Sequence, residues 1–281
     1  MQDFLELAVS AAASGCVYGL IALAYLLMIR PTGIINFAVG EWAMLGAFGG
    51  YVALTKYELP YPVGMALILA FMLLVGWVTE RIAVRPLVER GAGVLAPILA
   101  LLGVLVITRE AISVSFPPDP LPVPFPVEIQ NYKYFVIAVT AAVFGGFWFF
   151  FEKTLWGKCF EAVALNRRAA ALMGINLRRV TALSFAGGAA VAGLGGLLVA
   201  PNISAHYLMG VPLAIQGFTA LVVGGVGRVE GALLGGLLLA FAEQLTIRYA
   251  PIPGGYAQGV PLVFLMIFLV VRPTGLLRLR A

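Results

Sequence analysis

The sequence predicts an all-α fold: a polytopic membrane helix bundle of about eight transmembrane helices with broken or re-entrant segments. Composition, charge placement and one short apolar run predict it. Of 281 residues, 62% are apolar and 11% charged, with a mean hydropathy of +1.00. A soluble domain carries about 25% charged and about 45–50% apolar residues, so this chain has too little polar surface to face water all round. The charges cluster, and apolar stretches separate the clusters at residues 8–29, 34–55, 62–79, 94–112, 134–151, 181–200, 213–226, 231–247 and 256–271. The run 213–226, as a helix about 21 Å long, is too short to cross a hydrocarbon core of ~30 Å upright. It reads as half of a broken element with Gly224, Gly225, Gly227 and Arg228 at its turn. The whole chain, 1–281, reads as one transmembrane domain. Asp3 and Glu6, with no Lys or Arg in the first seven residues, do not read as a signal peptide. Two distant cysteines, Cys16 and Cys159, are not a disulfide framework.

Lys and Arg set the expected orientation. With the N-terminus outside and the C-terminus inside, 14 of the 18 cationic residues fall on the inner side, including Arg272, Arg278 and Arg280 near the end. Lys56, Arg109, Lys133 and Arg248 are left outside. That bias obeys the positive-inside rule, so the net charge of +5 is a topology signal and implies no nucleic acid. Between Ser115 and Asn131, prolines at 117, 118, 120, 122, 124 and 126 predict a stiff extended strap on the outer face.

Signals of catalysis are sparse. The single histidine, His206, reads as a solvated loop residue, and no Cys/His spacing suits a metal. The glycine-rich stretch 224–228 lacks the lysine and Ser/Thr of a phosphate loop. The chain is expected to be no enzyme and to bind no cofactor. Glycines at small-xxx-small spacing (15/19, 46/50, 188/192/196 with Ala192, and 227/231/235) predict closely packed helices. An E-x-A-x-L-G pattern occurs twice, at 41–46 and 230–235, each opening an apolar helix that an Arg-Pro-terminated helix follows (Arg85-Pro86, Arg272-Pro273). This suggests a parallel repeat.

Two segments concentrate polar residues. From Arg30 to Glu41, Pro31, Gly33, Asn36, Phe37, Gly40 and Glu41 suggest a broken helix whose half-helix N-terminus offers free N–H groups. Carboxylates inside membrane segments are functional candidates. For Glu41 and Glu230, substrate contact and simple satisfaction of a helix N-terminus are equal readings; for Glu243 a buried pairing leads. The second segment, 152–180, is a cytoplasmic loop with an amphipathic helix carrying Phe160, Val163 and Ala164 on one stripe. Ala171, Leu172 and Ile175 continue an apolar face, and Gly174 marks a turn. A docking ridge and a helix lying on anionic lipid both suit this pattern.

Four patterns together resemble a known family: G-I-I-N-F-A-x-G-E (33–41), E-A-x-A-x-N…A-x-x-x-G-I-N (161–176), V-G-G-V-G-x-x-x-G-A-x-x-G-G (223–236) and R-P-T-G-L (272–276). In this order over nearly the whole chain, they are similar to branched-chain amino-acid ABC-transporter permeases of the Liv type. The resemblance implies a permease subunit in a bacterial cytoplasmic (inner) membrane. It would pair with a second homologous permease, two cytoplasmic ABC ATPase subunits that hold ATP and magnesium, and a periplasmic or extracellular solute-binding protein. It implies ATPase coupling through Glu161, Ala162, Asn166, Arg167, Met173, Gly174 and Ile175, and a substrate pathway past Asn36, Phe37, Gly40, Glu41, Gly224, Gly225 and Gly227. Urea, short amides or other small solutes are alternative cargoes, and an ion-coupled secondary transporter using Glu41 or Glu230 is a rival class. Two positions depart from the pattern: Arg167 stands where the general coupling motif has glycine, and Val39 where the family often has histidine.

Overall fold

The computed structural model describes residues 2–128, 131–249, 259–271 and 275–276. Six of its helices are long and apolar enough to cross a membrane, by length and composition. Helix α1 (Gln2–Thr32) runs 31 residues, about 46 Å. It breaks where Gly33 takes φ +69°, a conformation that glycine enters at little cost. Residues 33–38 are non-helical, and α2 (Val39–Gly50) then continues as a π-helical turn, Tyr51–Lys56. Together these reach about 27 Å, and the first residues of α2, Val39, Gly40 and Glu41, are buried, so the helix begins inside the bundle.

Helix α3 (Tyr61–Thr79) passes through a second π-helical turn (Glu80–Val84) into α4 (Arg85–Glu89). The π register stacks residues five apart. It lays the Arg85 fork on the carboxylate of Glu80, with Nη2 2.6 Å and Nε 3.2 Å from its oxygens. Arg81 and Arg85, expected in a loop, are thus helical. Helices α5 (Leu95–Ser115) and α6 (Tyr132–Lys153) flank the strap. At the opposite end of the bundle lie α7 (Leu155–Leu165) and α8 (Arg167–Leu172). Helix α9 (Leu177–Ile203) returns to the strap end. The short α10 (Gly210–Gly224) then turns into α11 (Val229–Tyr249), and α12 spans Val260–Val271.

The core is a packing of α1, α9, α10 and α11, with α2 and α3 against α9. Close backbone approach builds it, as the glycine spacing predicts. A β-carbon at Gly46 would collide with the backbone of Gly193, and one at Gly15 with Leu237 and Gly236. Lipid is as apolar as a leucine side chain, so contact of small residues rather than expulsion of water holds these helices.

The strap is held by its backbone. Leu121 and Ala205 exchange two backbone hydrogen bonds of 2.9 and 2.8 Å. The Thr55 hydroxyl donates to the Pro122 carbonyl at 3.0 Å. The strap therefore ties the segment 204–209, ahead of α10, to the end of the α2 limb. We call this the strap end and the α7–α8 side the ridge end. Of the R-P-T-G-L pattern, 272–274 lie outside the described residues, as do Arg278 and Arg280. Leu276 N–H donates to the Val223 carbonyl at 2.9 Å, which places the pattern's end at the α10–α11 turn.

Candidate translocation site and coupling ridge

Two half-helices start inside the bundle and run in opposite directions. From its buried start, α2 climbs to the strap end, while α10 descends from Gly210 to the ridge end. Their N-termini meet: a β-carbon at Gly40 would collide with the Gly210 carbonyl and the Ala214 side chain. Glu41, the third residue of α2, lies at this crossing with 1% exposure, and its carboxylate packs against Gly210. Both helix dipoles present their positive ends there, which favours a negative charge.

The remaining compensation comes from Arg109. It was expected in an outer loop, but it sits inside α5 and turns inward. Its Nε donates to Glu41 Oε1 at 3.2 Å, and its Nη2 donates to the same oxygen. Among the described residues, Glu41 Oε2 is buried without a hydrogen-bond partner. An arginine-glutamate pair at 109–110 within an apolar run is the sequence signal that could have marked this inward turn. The partner itself, 68 residues from Glu41, is beyond sequence spacing.

Asn36 is fully buried and engaged locally. Its Oδ1 accepts the Ala38 N–H at 2.9 Å, and its Nδ2 lies 3.3 Å from Met28 Sδ. It shapes the approach to α2. Phe37 is exposed. Gly224, Gly225 and Gly227 are not at the crossing: Gly224 lies about 21 Å along α10 from Gly210. There Gly225 has φ +100°, and a β-carbon at Gly224 would strike the Gly231 backbone.

The other two carboxylates differ from Glu41. Glu230 is half-exposed beside Arg228, 3.6 Å away. Glu243 is buried and accepts the Tyr18 hydroxyl at 2.7 Å.

At the ridge end, the 161–176 pattern consists largely of caps. Asn166 Oδ1 accepts the Ala169 N–H at 3.0 Å and starts α8. Gly174, at φ +83°, ends it: Gly174 N–H donates to Ala171 O and Ile175 N–H to Ala170 O, at 3.0 and 3.1 Å. This crossed pair is a Schellman closure. Asn176 Oδ1 then accepts the Arg179 N–H at 3.2 Å and starts α9.

The caps hold the ridge in shape, with Phe160, Val163 and Ala170 turned in. Of the apolar face expected over Ala171, Leu172 and Ile175, the first two are exposed and Ile175 is half-buried; the break at Asn166 separates α8 from α7. Leu165, Leu172 and Met173 stand 87%, 90% and 83% exposed. Glu161 pairs with Lys158 at 3.3 Å along α7. Ala162, Arg167 and Ile175 are half-buried. Leu165 was not singled out from the sequence; its place directly before a capping asparagine is the available signal.

A family described as branched-chain amino acid transport system / permease component matches residues 7–270. The chain belongs to that family. Among its relatives, BraD of Pseudomonas aeruginosa, named a high-affinity branched-chain amino acid transport system permease protein, is 31% identical over 99% of this chain and 96% of its own. LivH of Escherichia coli, with the same description, is 28% identical over 98% and 95%. Among solved structures, PsaBC from Streptococcus pneumoniae in complex with Fab superposes with a TM-score of 0.53 at 13% identity. It covers 94% of this chain and 91% of that one, a likeness of fold alone. The chain is a polytopic helical permease component of a transport system.

Proposed function

We propose that this chain is the membrane subunit of an ATP-binding-cassette importer for branched-chain amino acids in a bacterial cytoplasmic membrane. The strap end faces outside and the ridge end inside. The ridge carries the reading: three apolar side chains, Leu165, Leu172 and Met173, project beyond the bundle at the end where Arg81, Arg85, Lys158, Arg167 and Arg178 gather. The positive-inside rule puts that end in the cytoplasm. Apolar tips on a capped helical ridge fit the groove of a soluble partner, here an ABC ATPase; two copies would serve a pair of permeases. A solute-binding protein delivers cargo at the strap end. ATP binding on the partner pushes the ridge and rocks the glycine-packed helices. Solute passes the half-helix crossing at Glu41, with the 224–227 turn as a hinge on the cytoplasmic side.

The test is co-purification with the ATPase, then branched-chain amino-acid uptake and ATP hydrolysis in liposomes. Replacing Gly174 by Leu forces a side chain into a left-handed conformation at a cost of roughly 1–2 kcal/mol. That variant, and Met173→Asp, should retain assembly of the permease pair and lose coupled uptake. Unchanged uptake in both would sink the docking assignment. Uptake by the permease alone, driven by an ion gradient, would replace the importer reading with a secondary transporter.

A further inference from the structure

A cavity of about 480 Å³ lies between α1, α6, α9 and α10 at the strap end, beside the start of α10 and without Glu41 in its lining. Its volume is within the range of small-molecule sites. Lys133, Ser10 and His206 line its mouth. The Lys133 ammonium donates to the Ser10 hydroxyl at 2.5 Å. Val17, Val136, Leu198 and Leu213 form apolar walls. Deeper lies Tyr18, whose hydroxyl proton is committed to Glu243 Oε2 at 2.7 Å. The phenolic oxygen has acceptor capacity that it shares with the side chain of Gln216, another lining residue, and a buried carboxylate stands behind it.

The cavity is thus polarised, with a cation at the mouth, an acceptor backed by an anion below, and apolar surface between. Ser10 and Tyr18 are eight residues apart on α1, about 12 Å of rise. A helical side chain leans back toward the N-terminus, so the hydroxyl lies nearer the mouth than that rise.

We infer that this cavity is a binding site for a small zwitterion with a branched apolar side chain. Its carboxylate sits on Lys133, its ammonium donates toward Tyr18 Oη, and its side chain lies on the valine and leucine walls. The inference rests on the importer reading and deepens it: the permease holds cargo itself before the half-helix crossing. Glu243 is a positioning residue, since it acts through the orientation it imposes on the tyrosine hydroxyl.

The test uses the assembled importer in liposomes, with Ser14, a lining residue, replaced by cysteine. An impermeant methanethiosulfonate is added from outside. The unsubstituted chain is the control: its Cys16 is buried, and its half-buried Cys159 lies on α7 at the ridge end, away from the cavity. Ser14→Cys should react, and leucine at about ten times its dissociation constant should slow the reaction roughly tenfold. Leucinol, which lacks the carboxylate, should protect far less. Adding Lys133→Gln should remove the advantage of leucine over leucinol, read for each solute as the ratio of the rates with and without it, so that any change in the intrinsic reactivity of the thiol cancels. Unreactive Ser14→Cys, or reaction that leucine leaves unchanged in an importer that takes up leucine, overturns the cavity and leaves the importer reading standing. An unsubstituted importer that takes up no branched-chain amino acid overturns both.

Discussion

The pattern E-x-A-x-L-G occurs at 41–46 and at 230–235, and both copies open a helix running from the ridge end toward the strap end. Their glycines behave alike: Gly46 lies on the Gly193 backbone and Gly235 on Ala220. Their glutamates do not. Glu41 is 1% exposed and bound to Arg109, whereas the Glu230 side chain is 49% exposed beside an equally open Arg228. The difference is depth. An extended segment carries the chain inward before α2 starts, whereas α11 starts at a surface turn. A glutamate near a helix start is therefore an interfacial cap or a buried charge according to what precedes the helix, and the small residue five positions later reports close packing in either case.

The sharpest way to break the comparison is to remove the arginines. Arg109→Ala leaves the Glu41 carboxylate uncompensated and should cost about 3–5 kcal/mol, read as a large fall in the thermal midpoint of the purified permease. Arg228→Ala should barely move that midpoint. Replacing both Glu41 and Arg109 with leucine should recover much of the loss, since an apolar pair of similar volume can match a buried ion pair. A double variant as unstable as Arg109→Ala would show that the carboxylate has a separate structural partner.

Next in size come the glycines, where the two copies should agree. Gly46→Ala and Gly235→Ala each drive a methyl group into a facing backbone and should each cost about 1–3 kcal/mol. A neutral result at one position alone would separate the copies at the level of packing as well. The smallest effect belongs to Glu230→Gln, within about 0.5 kcal/mol as for an ordinary surface change. A larger loss of uptake at unchanged stability would give that carboxylate a role in transport.

Much of this fold is legible because its signals are local. Apolar runs bounded by charge mark the long helices. The run 213–226 is too short to span, as befits a half-helix, and α10 is Gly210–Gly224. The asparagines at 166 and 176 and the glycine at 174 mark helix ends that the structure closes with their side chains or positive φ. The site is less legible because its decisive contacts are remote. Arg109 reads as a loop charge until α5 brings it beside α2. Asn36 looks open to solute in a broken helix, yet its oxygen is taken two residues later by Ala38. Gly210 carries no mark that its helix begins against Glu41.

The tie between Leu121 and Ala205 is made by main-chain atoms alone. The tie itself does not depend on either side chain, so Leu121, which also packs against the core, can exchange for other apolar residues but not for proline, which would delete the donor. Ala205, with no exposed surface, has room only for a small side chain. Over generations the exposed strap residues 117–120 can therefore change, and with them the surface shown to whatever meets that face, while the grip on the segment leading into α10 stays the same.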